Sequence, residues 1–346
     1  MKKKYLFYKK GAVALAMFFS VLILAGMPFK VDGADTGETP SEGTYLKQEV
    51  ILPEGCLKAE RVRILKDGTI RLAYMDDSQI VHIVDSSDGG TTWEEGKTLG
   101  EILDTDRILG DVTGLSIAED GGVFVSILST LKKEQLDPED FRTDRYYISA
   151  DNQVNVLDIE GLEEADGIMN SSFTEDGKVI LHTIGEGIIE VNLADGRVEN
   201  RYTDDFVWYF GVAGNRLIAA ELLKVKFYDI DTGEALEDGK LLAKTLEDDP
   251  QYHTQALNGT SLVMFAGRKQ EDRVYYIDNN GIYSYEFNTD IMEKIVDGPF
   301  YEENTASGIM DFTKDDEGNF YVLVFDVASE NIHSEMYKYS GMSGTI

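Results

Sequence analysis

The chain has 346 residues, of which 42% are hydrophobic and 28% are charged, a composition typical of a folded globular protein. Its formal net charge is −32. A surface this acidic repels phosphate backbones and anionic lipid headgroups, so nucleic acid and membrane surfaces are excluded as expected partners. The 18 tyrosines, 16 phenylalanines and 33 glycines favour strands and turns, and the 6 prolines leave few breaks.

The N-terminal segment has the features of an export signal. Lysines at its start precede an uncharged apolar run from Gly11 to Met27, and Val31-Asp32-Gly33 then offers small residues to a signal peptidase. We predict a signal peptide over 1–33, a flexible linker over 34–43 and a secreted protein. The alternative is an uncleaved membrane anchor with its lysines inside the cell. Residues 1–33 hold six lysines and one aspartate, so the remainder carries 26 basic and 63 acidic residues, a net charge of −37.

Leu24-Ala25-Gly26-Met27 resembles a bacterial lipobox in which methionine stands where the lipidated cysteine would be. Without that thiol we expect no lipid anchor. The single cysteine of the chain, Cys56, lies outside this segment, which excludes an intrachain disulfide. Stability must therefore come from the core and not from covalent cross-links.

From Tyr45 onward the chain repeats short β-rich runs separated by tight turns. The first hairpin is Arg61–Leu65 and Thr69–Tyr74, joined by Lys66-Asp67-Gly68. Asp-Gly between apolar alternating runs is a strong hairpin signal, because the turn needs positive φ at its central residues. Equivalent turns are predicted at positions 67, 120, 176, 214, 258 and 317. Their spacing is close to the roughly 40–50 residues of a four-stranded propeller blade.

Each of the first five units also contains a second hairpin. Its turns are predicted at Ser86–Thr92, Ala150–Asn152, Ala194–Gly196, Asp231–Gly233 and Asn279–Gly281. Two hairpins in a unit give four strands in a blade. We therefore predict an all-β fold: a single β-propeller domain over 44–341, of about six four-stranded blades, with a tail at 342–346. Seven blades is the alternative count.

The two ends of the predicted domain complement each other. Tyr45–Leu52 has no partner in its own unit, whereas the last unit, Ile309–Ser340, shows three strand-like pieces. We predict that the N-terminal strand becomes the outer strand of the last blade, because this closure removes exposed sheet edges. No helix of ordinary length is predicted. Ser129–Phe141 is expected to be an inserted loop with a short helical turn, limited by Pro138, that breaks the second blade.

The motif with most information is Ser86-Ser87-Asp88-Gly89-Gly90-Thr91-Thr92-Trp93, which matches the pattern Ser-x-Asp-x-Gly-x-Thr-Trp. Ser86 and Asp88 are expected to accept backbone N–H groups of the turn, and Gly90 to relax the φ restriction. Trp93 is expected to pack its apolar face between neighbouring sheets. On this motif the chain resembles the Asp-box propellers, a group that includes sialidases, some glucanases and many non-enzymes. The motif specifies a turn and carries no chemistry. Ser149–Asn152 resembles a decayed copy.

A second resemblance rests on the order of segments at the start of the domain. Glu49–Gly55 leads into Ile64–Arg71 and then the Asp box, which is similar to the N-terminal propeller of some Gram-positive extracellular solute-binding lipoproteins. Met27 replaces the lipobox cysteine, and no solute-binding domain precedes Ile346. The resemblance therefore implies a free propeller, and it does not carry over a transport function.

The alternative function is a carbohydrate-active hydrolase of sialidase-like architecture. A sialidase grips a carboxylate with an arginine triad, and the chain offers several arginines, but it lacks the Arg-Ile-Pro-type segment and further Asp boxes. The arginines are Arg61, Arg107, Arg145, Arg216 and Arg268. A glycosidase with two carboxylates would draw on residues near the expected inner strands. These are Asp106, Asp111, Asp166 and Asp311.

Metal and cofactor chemistry is not indicated. The four histidines lie far apart in the chain and show no metal-ligand spacing, so no metal and no cofactor is predicted. They are His82, His182, His253 and His333.

We therefore predict an exported, non-catalytic binding module that presents loops around a central channel to an extracellular protein or a glycan, with no catalytic residue assigned. Trp208 and Tyr209 lie in the aromatic run that opens the fourth unit. Consecutive aromatic residues cannot all face one side of a strand, so these two are the candidate ligand-facing residues. Core packing is the alternative role for them.

Overall fold

The computed structural model describes residues 45–163, 167–203, 207–221, 224–248, 264–269, 271–302, 307–326 and 333–341. These residues form six antiparallel sheets of four strands each, arranged as the blades of a β-propeller. The predicted fold class and the count of six blades are confirmed.

In each blade the strands are given from the channel outward. Blade 1 contains β2 (Lys58–Ile64), β3 (Ile70–Met75), β4 (Val81–Ser86) and β5 (Glu94–Thr98). Blade 2 contains β6 (Arg107–Ile117), β7 (Val123–Leu131), β8 (Phe141–Ile148) and β9 (Val154–Val156). Blade 3 contains β10 (Ile168–Phe173), β11 (Val179–Thr183), β12 (Gly187–Val191) and β13 (Val198–Thr203).

The second half of the ring follows the same order. Blade 4 contains β14 (Val207–Ala213), β15 (Arg216–Glu221), β16 (Val225–Asp229) and β17 (Ala235–Leu236). Blade 5 contains β18 (Met264–Ala266), β19 (Arg273–Asp278), β20 (Gly281–Glu286) and β21 (Ile291–Asp297). Blade 6 contains β22 (Gly308–Lys314), β23 (Phe320–Asp326), β24 (His333–Gly341) and β1 (Tyr45–Val50).

The N-terminal strand closes the ring as predicted. β1 pairs antiparallel with β24 over its whole length, from Tyr45 opposite Gly341 to Val50 opposite Met336. Each inner strand also contacts the inner strands of both neighbouring blades. We call the end of the central channel at which the inner strands begin the upper mouth, and the end at which they finish the lower mouth.

The core lies between blades, where the face of one sheet packs on the next. Between blades 1 and 2, for example, Ala73 and Ile83 pack with Leu115 and Val125, and all four are buried. Because both faces of a blade are covered, a middle strand can be buried along its whole length instead of alternating between buried and exposed residues. Every residue of β12, for example, is buried.

Blade 5 differs from its prediction by one strand. Leu262–Phe265 was predicted to follow the first turn of the blade, but β18 is itself the inner strand and pairs with β19. Asn279–Gly281 accordingly joins the second and third strands, not the third and fourth. The predicted turn at Asn258-Gly259 lies outside the described residues. The turn that does follow β18 contains no Asn-Gly or Asp-Gly pair, so it gave no signal in the sequence.

A helix that the sequence analysis did not predict follows blade 4. α1 (Lys240–Asp248) buries Leu242 and Leu246, one turn apart, against a cluster that includes Phe227 of blade 4 and Phe287 of blade 5. The Glu247 carboxylate accepts a hydrogen bond of 2.8 Å from the backbone N–H of Val225, at the start of β16. The helix therefore fills the joint between blades 4 and 5, where β17 has only two residues.

The expected insertion in the second blade is an extension of its hairpin. β7 continues to Leu131, and its pairing with β8 reaches Thr130 opposite Phe141, so the blade is not broken. The predicted short helical turn is present as a 3-10 helix, η2 (Pro138–Asp140). Another 3-10 helix, η1 (Leu99–Ile102), follows β5. Over the described ranges, no helix has the length and apolar character needed to cross a bilayer.

Candidate functional site: the central channel

Five inner strands carry a β-bulge close to the upper mouth. In β2, β6, β10, β14 and β22 the register with the second strand shifts by one residue. The bulged residues are Glu60, Gly110, Met169, Trp208 and Met310. A bulged residue leaves the ladder of hydrogen bonds and bends the strand, so the bulges shape the rim of the channel.

The residues that follow three of these bulges share one register position. Arg61, Asn170 and Asp311 each lie opposite the fourth residue of the second strand, whereas Tyr209 lies opposite the fifth. The two candidate ligand-facing residues therefore belong to the rim: Trp208 is a bulged residue and Tyr209 follows it. Their side chains lie outside the description, so their role as ligand contacts stays a prediction.

Arg61 connects four blades across the centre of the channel. Its Nε donates to the Leu115 carbonyl of blade 2 at 3.0 Å. Its Nη2 lies 3.4 Å from Asn170 Oδ1 of blade 3, and its Nη1 lies 3.4 Å from the Met310 carbonyl of blade 6. A guanidinium has five N–H donors in a planar fork, and this one also donates to the Glu60 carbonyl of its own strand at 2.7 Å. Because its partners lie in blades 2, 3 and 6, the arginine reaches across the middle of the channel.

Asp311 performs a similar joining function between the last blade and the first. Its Oδ1 accepts from the N–H of Phe312 at 2.9 Å, and its Oδ2 accepts from the N–H of Val62 at 2.8 Å. Burial raises the pKa of Asp311, although Arg61 lies nearby and opposes the shift. Both oxygens of this carboxyl group therefore accept hydrogen bonds from backbone N–H groups, one in blade 6 and one in blade 1.

Asp111 stands higher, nearer the upper mouth. Asp111 lies opposite Leu128, the sixth residue of β7, whereas Arg61 lies opposite the fourth residue of β3. A second bulge in β6, between Thr113 and Ser116, contributes to this offset. Its Oδ1 accepts from the N–H of Val112 at 2.9 Å. Burial raises the pKa of Asp111, and Lys58 opposes the shift. Of the other carboxylates proposed for a glycosidase, Asp106 is exposed before β6 and Asp166 lies outside the described residues.

The surface around the upper mouth combines apolar and charged groups. Ile108 of β6 and Met169 of β10 each keep 48% of their surface exposed. Beside Asp111 lie Lys58 and Glu60, which form an ion pair of 2.7 Å with each other. Large apolar side chains on the rim of an otherwise acidic molecule are a feature that neither packing nor solubility requires.

The lower mouth is built from ion pairs that the sequence analysis did not find. Arg63 Nη2 lies 3.1 Å from Glu119 Oε1, and Arg268 Nη1 contacts the same oxygen. With Lys314 and Thr313 they line a small cavity. One feature of the sequence could have indicated part of this cluster. Residues two apart in a strand face the same side, and Arg63 follows Arg61 by two in β2, so both arginines could have been expected to face the channel.

The five arginines considered for a sialidase triad do not meet. Arg61 lies in the middle of the channel and Arg268 at its lower mouth. Arg107 is buried in blade 2, where it donates to Ser129 and to the Asp140 carbonyl. Arg145 donates to the Glu163 carbonyl, and Arg216 pairs with Asp238 and Asp272 while stacking 3.7 Å from the Phe287 ring. These positions do not assemble a carboxylate clamp.

The Asp-box sequence forms the turn between β4 and β5. Asp88 Oδ1 accepts from the N–H groups of Thr91 and Thr92, each at 2.9 Å, and these bonds hold the pKa of Asp88 down at about 2. Ser86 Oγ accepts from the N–H of Gly90 at 2.8 Å. Gly90 has φ of 91°, and a Cβ there would collide with Val50, so glycine is required twice over.

Trp93 links this turn to the ring closure. Its side chain is half-buried and packs in the cluster that contains Val50 and Met336 of blade 6. Its Nε1 donates to the Ile51 carbonyl at 2.8 Å, just after β1. The turn at Ser149 repeats part of the pattern, because Ser149 Oγ donates to Asp151 and accepts from the N–H of Gln153 at 3.1 Å.

The histidines lie in separate places. His82 pairs with Asp76 at 2.9 Å, His333 lies 3.3 Å from Glu335, and His253 is outside the described residues. His182 is buried in blade 3 with no partner for Nδ1, and burial lowers its pKa to about 4. Burial raises the pKa of the Cys56 thiol to about 12, so it is protonated at neutral pH. In the described part of the chain no group of three metal-ligating side chains occurs.

No family model matches the chain, and no curated protein matches it in sequence. Solved structures of similar fold were found at low identity. One is a catalytically inactive variant of virginiamycin B lyase from Staphylococcus aureus with quinupristin: 12% identity, 86% of this chain and 99% of that chain, TM-score 0.47. Another is YCF48 bound to D1 peptide: 13% identity, 85% of this chain and 96% of that chain, TM-score 0.45.

A further similar structure is the extracellular domain of what is described as a one component system from B. thetaiotaomicron. It has 14% identity and a TM-score of 0.43, and the alignment covers 84% of this chain and 39% of that one. These proteins differ in function. The similarity extends to the fold alone, so the site has to be interpreted from its own residues.

Proposed function

We propose that this chain is an exported, non-catalytic binding propeller that takes a segment of an extracellular protein at its upper mouth. One observation carries the proposal: Ile108 and Met169, on neighbouring inner strands at the rim, each leave 48% of their surface in water. Ile168, the neighbour of Met169 on β10, is by contrast 1% exposed. Burying the two rim side chains against a ligand would release bound water and favour binding.

The charge around the rim defines the kind of partner. Asp111 and Glu60 are carboxylates on inner strands of the same rim, and one cation, Lys58, is already paired with Glu60. The whole chain has a net charge of −32, which attracts a cationic partner and accelerates its encounter. A protein segment with an apolar side chain next to lysine or arginine fits this surface. A glycan offers hydroxyl groups but no positive charge.

A binding experiment with two arrays tests the proposal. Purified protein 34–346 is applied to an array of peptides that pair basic with apolar residues, and in parallel to a glycan array. We expect binding to the peptides, weakened about ten-fold or more by Ile108→Asp combined with Met169→Asp.

The matched control changes two equally exposed apolar residues on outer strands. Val156 and Ile291 are 68% and 50% exposed, on β9 and β21. Val156→Asp combined with Ile291→Asp should leave peptide binding unchanged. Equal loss in both double variants would refute the upper mouth as the site, and binding to glycans alone would replace the protein partner with a glycan.

The sialidase-like hydrolase is the second candidate, and Asp111 is the observation in its favour. Burial raises the pKa of this partly buried carboxyl group, which is a property of a general acid. Chromogenic glycosides, sialosides included, provide the test. We expect no turnover with the wild-type protein. Turnover that Asp111→Asn abolishes and Asp106→Asn preserves would establish the enzyme and overturn the binding proposal.

Export is part of the proposal and rests on residues 1–33, which lie outside the described residues. Expressed in a bacterial host with its own leader, the protein should appear in the medium, cut near Gly33. Met27→Cys should restore the lipobox and move the protein to the membrane fraction, because acyl chains then anchor it. A wild-type protein that stays in the membrane with its N-terminus intact would instead support the uncleaved anchor.

A further inference from the structure

We propose, on the basis of the function proposed above, that Asp111 receives the basic side chain of the bound segment and alone sets the preference of the upper mouth for lysine or arginine. Asp111 lies on β6, the inner strand of blade 2, and its side chain is partly buried. The carboxylate at the centre of the channel, Asp311, bonds through both oxygens to the backbone. Asp111 does not.

The hydrogen bonds of Asp111 leave one of its oxygens free. Its Oδ1 accepts from the backbone N–H of Val112. Among the described residues no group donates to Oδ2, and no lysine, arginine or histidine forms an ion pair with this carboxylate. Because the side chain is only partly exposed, water compensates its charge incompletely. A cation delivered by a ligand would therefore gain more here than at a fully exposed carboxylate.

The cation that acts on Asp111 from within the protein is already engaged. Lys58 stabilises the ionised form of Asp111, but its Nζ lies 2.7 Å from Glu60 Oε1. Glu60 acts on Asp111 as well and disfavours its ionisation. The group thus contains two carboxylates and one ammonium. One further cation would balance it, and the described part of the chain supplies none.

The register of blade 2 places Asp111 on the same face as the exposed Ile108. Ile108 lies opposite Thr130 and Asp111 lies opposite Leu128, so their partners in β7 are two residues apart. Residues two apart in a strand share a face, and the bulge at Gly110 preserves this relation although Ile108 and Asp111 are three apart in sequence.

This spacing matches that of an extended ligand. Two positions along a strand correspond to about 7 Å, both in β6 and in a bound peptide. An extended segment that sets an apolar side chain against Ile108 would therefore bring the side chain two residues away to Asp111. The site favours an apolar and a basic residue separated by one other residue.

The surroundings of Asp111 make this pairing sensitive to acid. Burial raises the pKa of Asp111, Lys58 opposes the shift and Glu60 adds to it. The adjacent strands β7 and β10 contain no ionisable residue, and Arg107 of β6 donates its hydrogen bonds within blade 2. As the pH falls through the raised pKa, Asp111 becomes neutral and its attraction for a ligand cation is lost. The apolar contact with Ile108 does not titrate.

Isothermal titration with two matched peptides tests the proposal on protein 34–346 at low ionic strength. The probes are acetyl-Gly-Leu-Gly-Lys-Gly-amide and the same peptide with glutamine in place of lysine. At pH 7 we expect the wild type to bind the lysine peptide about ten-fold more tightly than the glutamine peptide. Asp111→Asn keeps an oxygen for the Val112 N–H, so it should fold, and its two affinities should agree within about two-fold. Between pH 7 and pH 4 the wild-type preference should decrease, because Asp111 is protonated.

Asp106 provides the matched control, since it is an exposed carboxylate just before the same strand. Asp106→Asn should prefer the lysine peptide as the wild type does. The proposal is overturned if the wild type binds both peptides equally, if Asp111→Asn retains the preference, or if Asp106→Asn loses it too. A preference that does not change between pH 7 and pH 4 also overturns it. All these results leave the upper mouth as a binding site, whereas binding of neither peptide would refute the proposed function and the role of Asp111 together.

Discussion

At the centre of the channel, polar side chains are fully engaged with the protein, whereas at the upper mouth apolar side chains face water. Arg61, Asn170 and Asp311 share one register position and connect four blades. Met169, directly before Asn170, and Ile108, near the start of the neighbouring strand β6, are half-exposed.

The difference separates stability from recognition within one channel. A buried polar group that bonds to backbone N–H groups of two blades contributes to the closure of the ring, and its loss leaves those groups unpaired. An exposed apolar side chain contributes little to folding, since it is not removed from water. We therefore expect substitutions at the centre to affect unfolding and those at the rim to affect binding.

The largest effect is expected at Asp311. Asp311→Leu leaves the N–H groups of Val62 and Phe312 without an acceptor, so the free energy of unfolding should fall by about 3 kcal/mol. Asp311→Asn keeps one acceptor and removes a buried charge, and it should cost about 1 kcal/mol or less. Urea unfolding measures both. Asp106→Ala, at an exposed carboxylate, should stay within about 0.5 kcal/mol. An Asp311→Leu protein as stable as the wild type would show that this joint does not hold the ring.

His182 lies directly opposite Asn170 in blade 3, and it makes the same region sensitive to acid. Its folded pKa, about 4, is below the unfolded value of 6.5, so the folded state favours the neutral ring. Above pH 6.5 the ring is neutral in both states and does not reduce the free energy of unfolding. As the pH falls from 6.5 toward 4 the unfolded state binds a proton first, so the free energy of unfolding decreases by about 3 kcal/mol. Unfolding of wild type and His182→Leu, compared at pH 7 and pH 4.5, should show a smaller acid loss in the variant. Equal acid losses would assign the sensitivity to other groups.

Trp93 tests the outer side of the ring closure. Because its side chain is half-buried, we expect Trp93→Ala to cost about 2 kcal/mol, less than the emptying of a fully buried aromatic site. Trp93→Phe keeps most of the packing and loses the bond to Ile51, so it should cost about 1 kcal/mol. Thermal unfolding followed by circular dichroism measures both variants. An alanine variant that unfolds like the wild type would show that the turn does not support the closure.

Local turn chemistry explains how much of the fold was predictable from the sequence. Gly121 has φ of 93°, a conformation that favours glycine, so Asp120-Gly121 marked the first hairpin of blade 2. The unpaired run at the N-terminus and the missing strand of the last unit together predicted the closure. In blade 5 the turn after Ala266 has no such pair. The predicted strands of this blade were therefore wrong by one position, because the inner strand β18 was taken for the second strand.

The site was less predictable because it is assembled from distant parts of the chain. Arg63, Glu119, Arg268 and Lys314 come from four blades, and no local spacing connects them. Asp111 and Asp311 were selected because they fall on expected inner strands, and both lie there. What the sequence could not provide was their partners, since Asp311 is 249 residues from Val62, to which it bonds.

The smallest effect on stability is expected at the rim, and it sharpens the comparison most. Ile108→Asp and Met169→Asp should each change the free energy of unfolding by no more than about 0.5 kcal/mol, because both side chains are already half in water. Ile168, the neighbour of Met169, is 1% exposed, and Ile168→Asp should cost more than about 3 kcal/mol, because it buries a charge without a partner. Urea unfolding of the three variants separates the two cases. If Met169→Asp destabilised the protein as much as Ile168→Asp, its exposed surface would be part of the core, and the rim would have no surface left to offer a ligand.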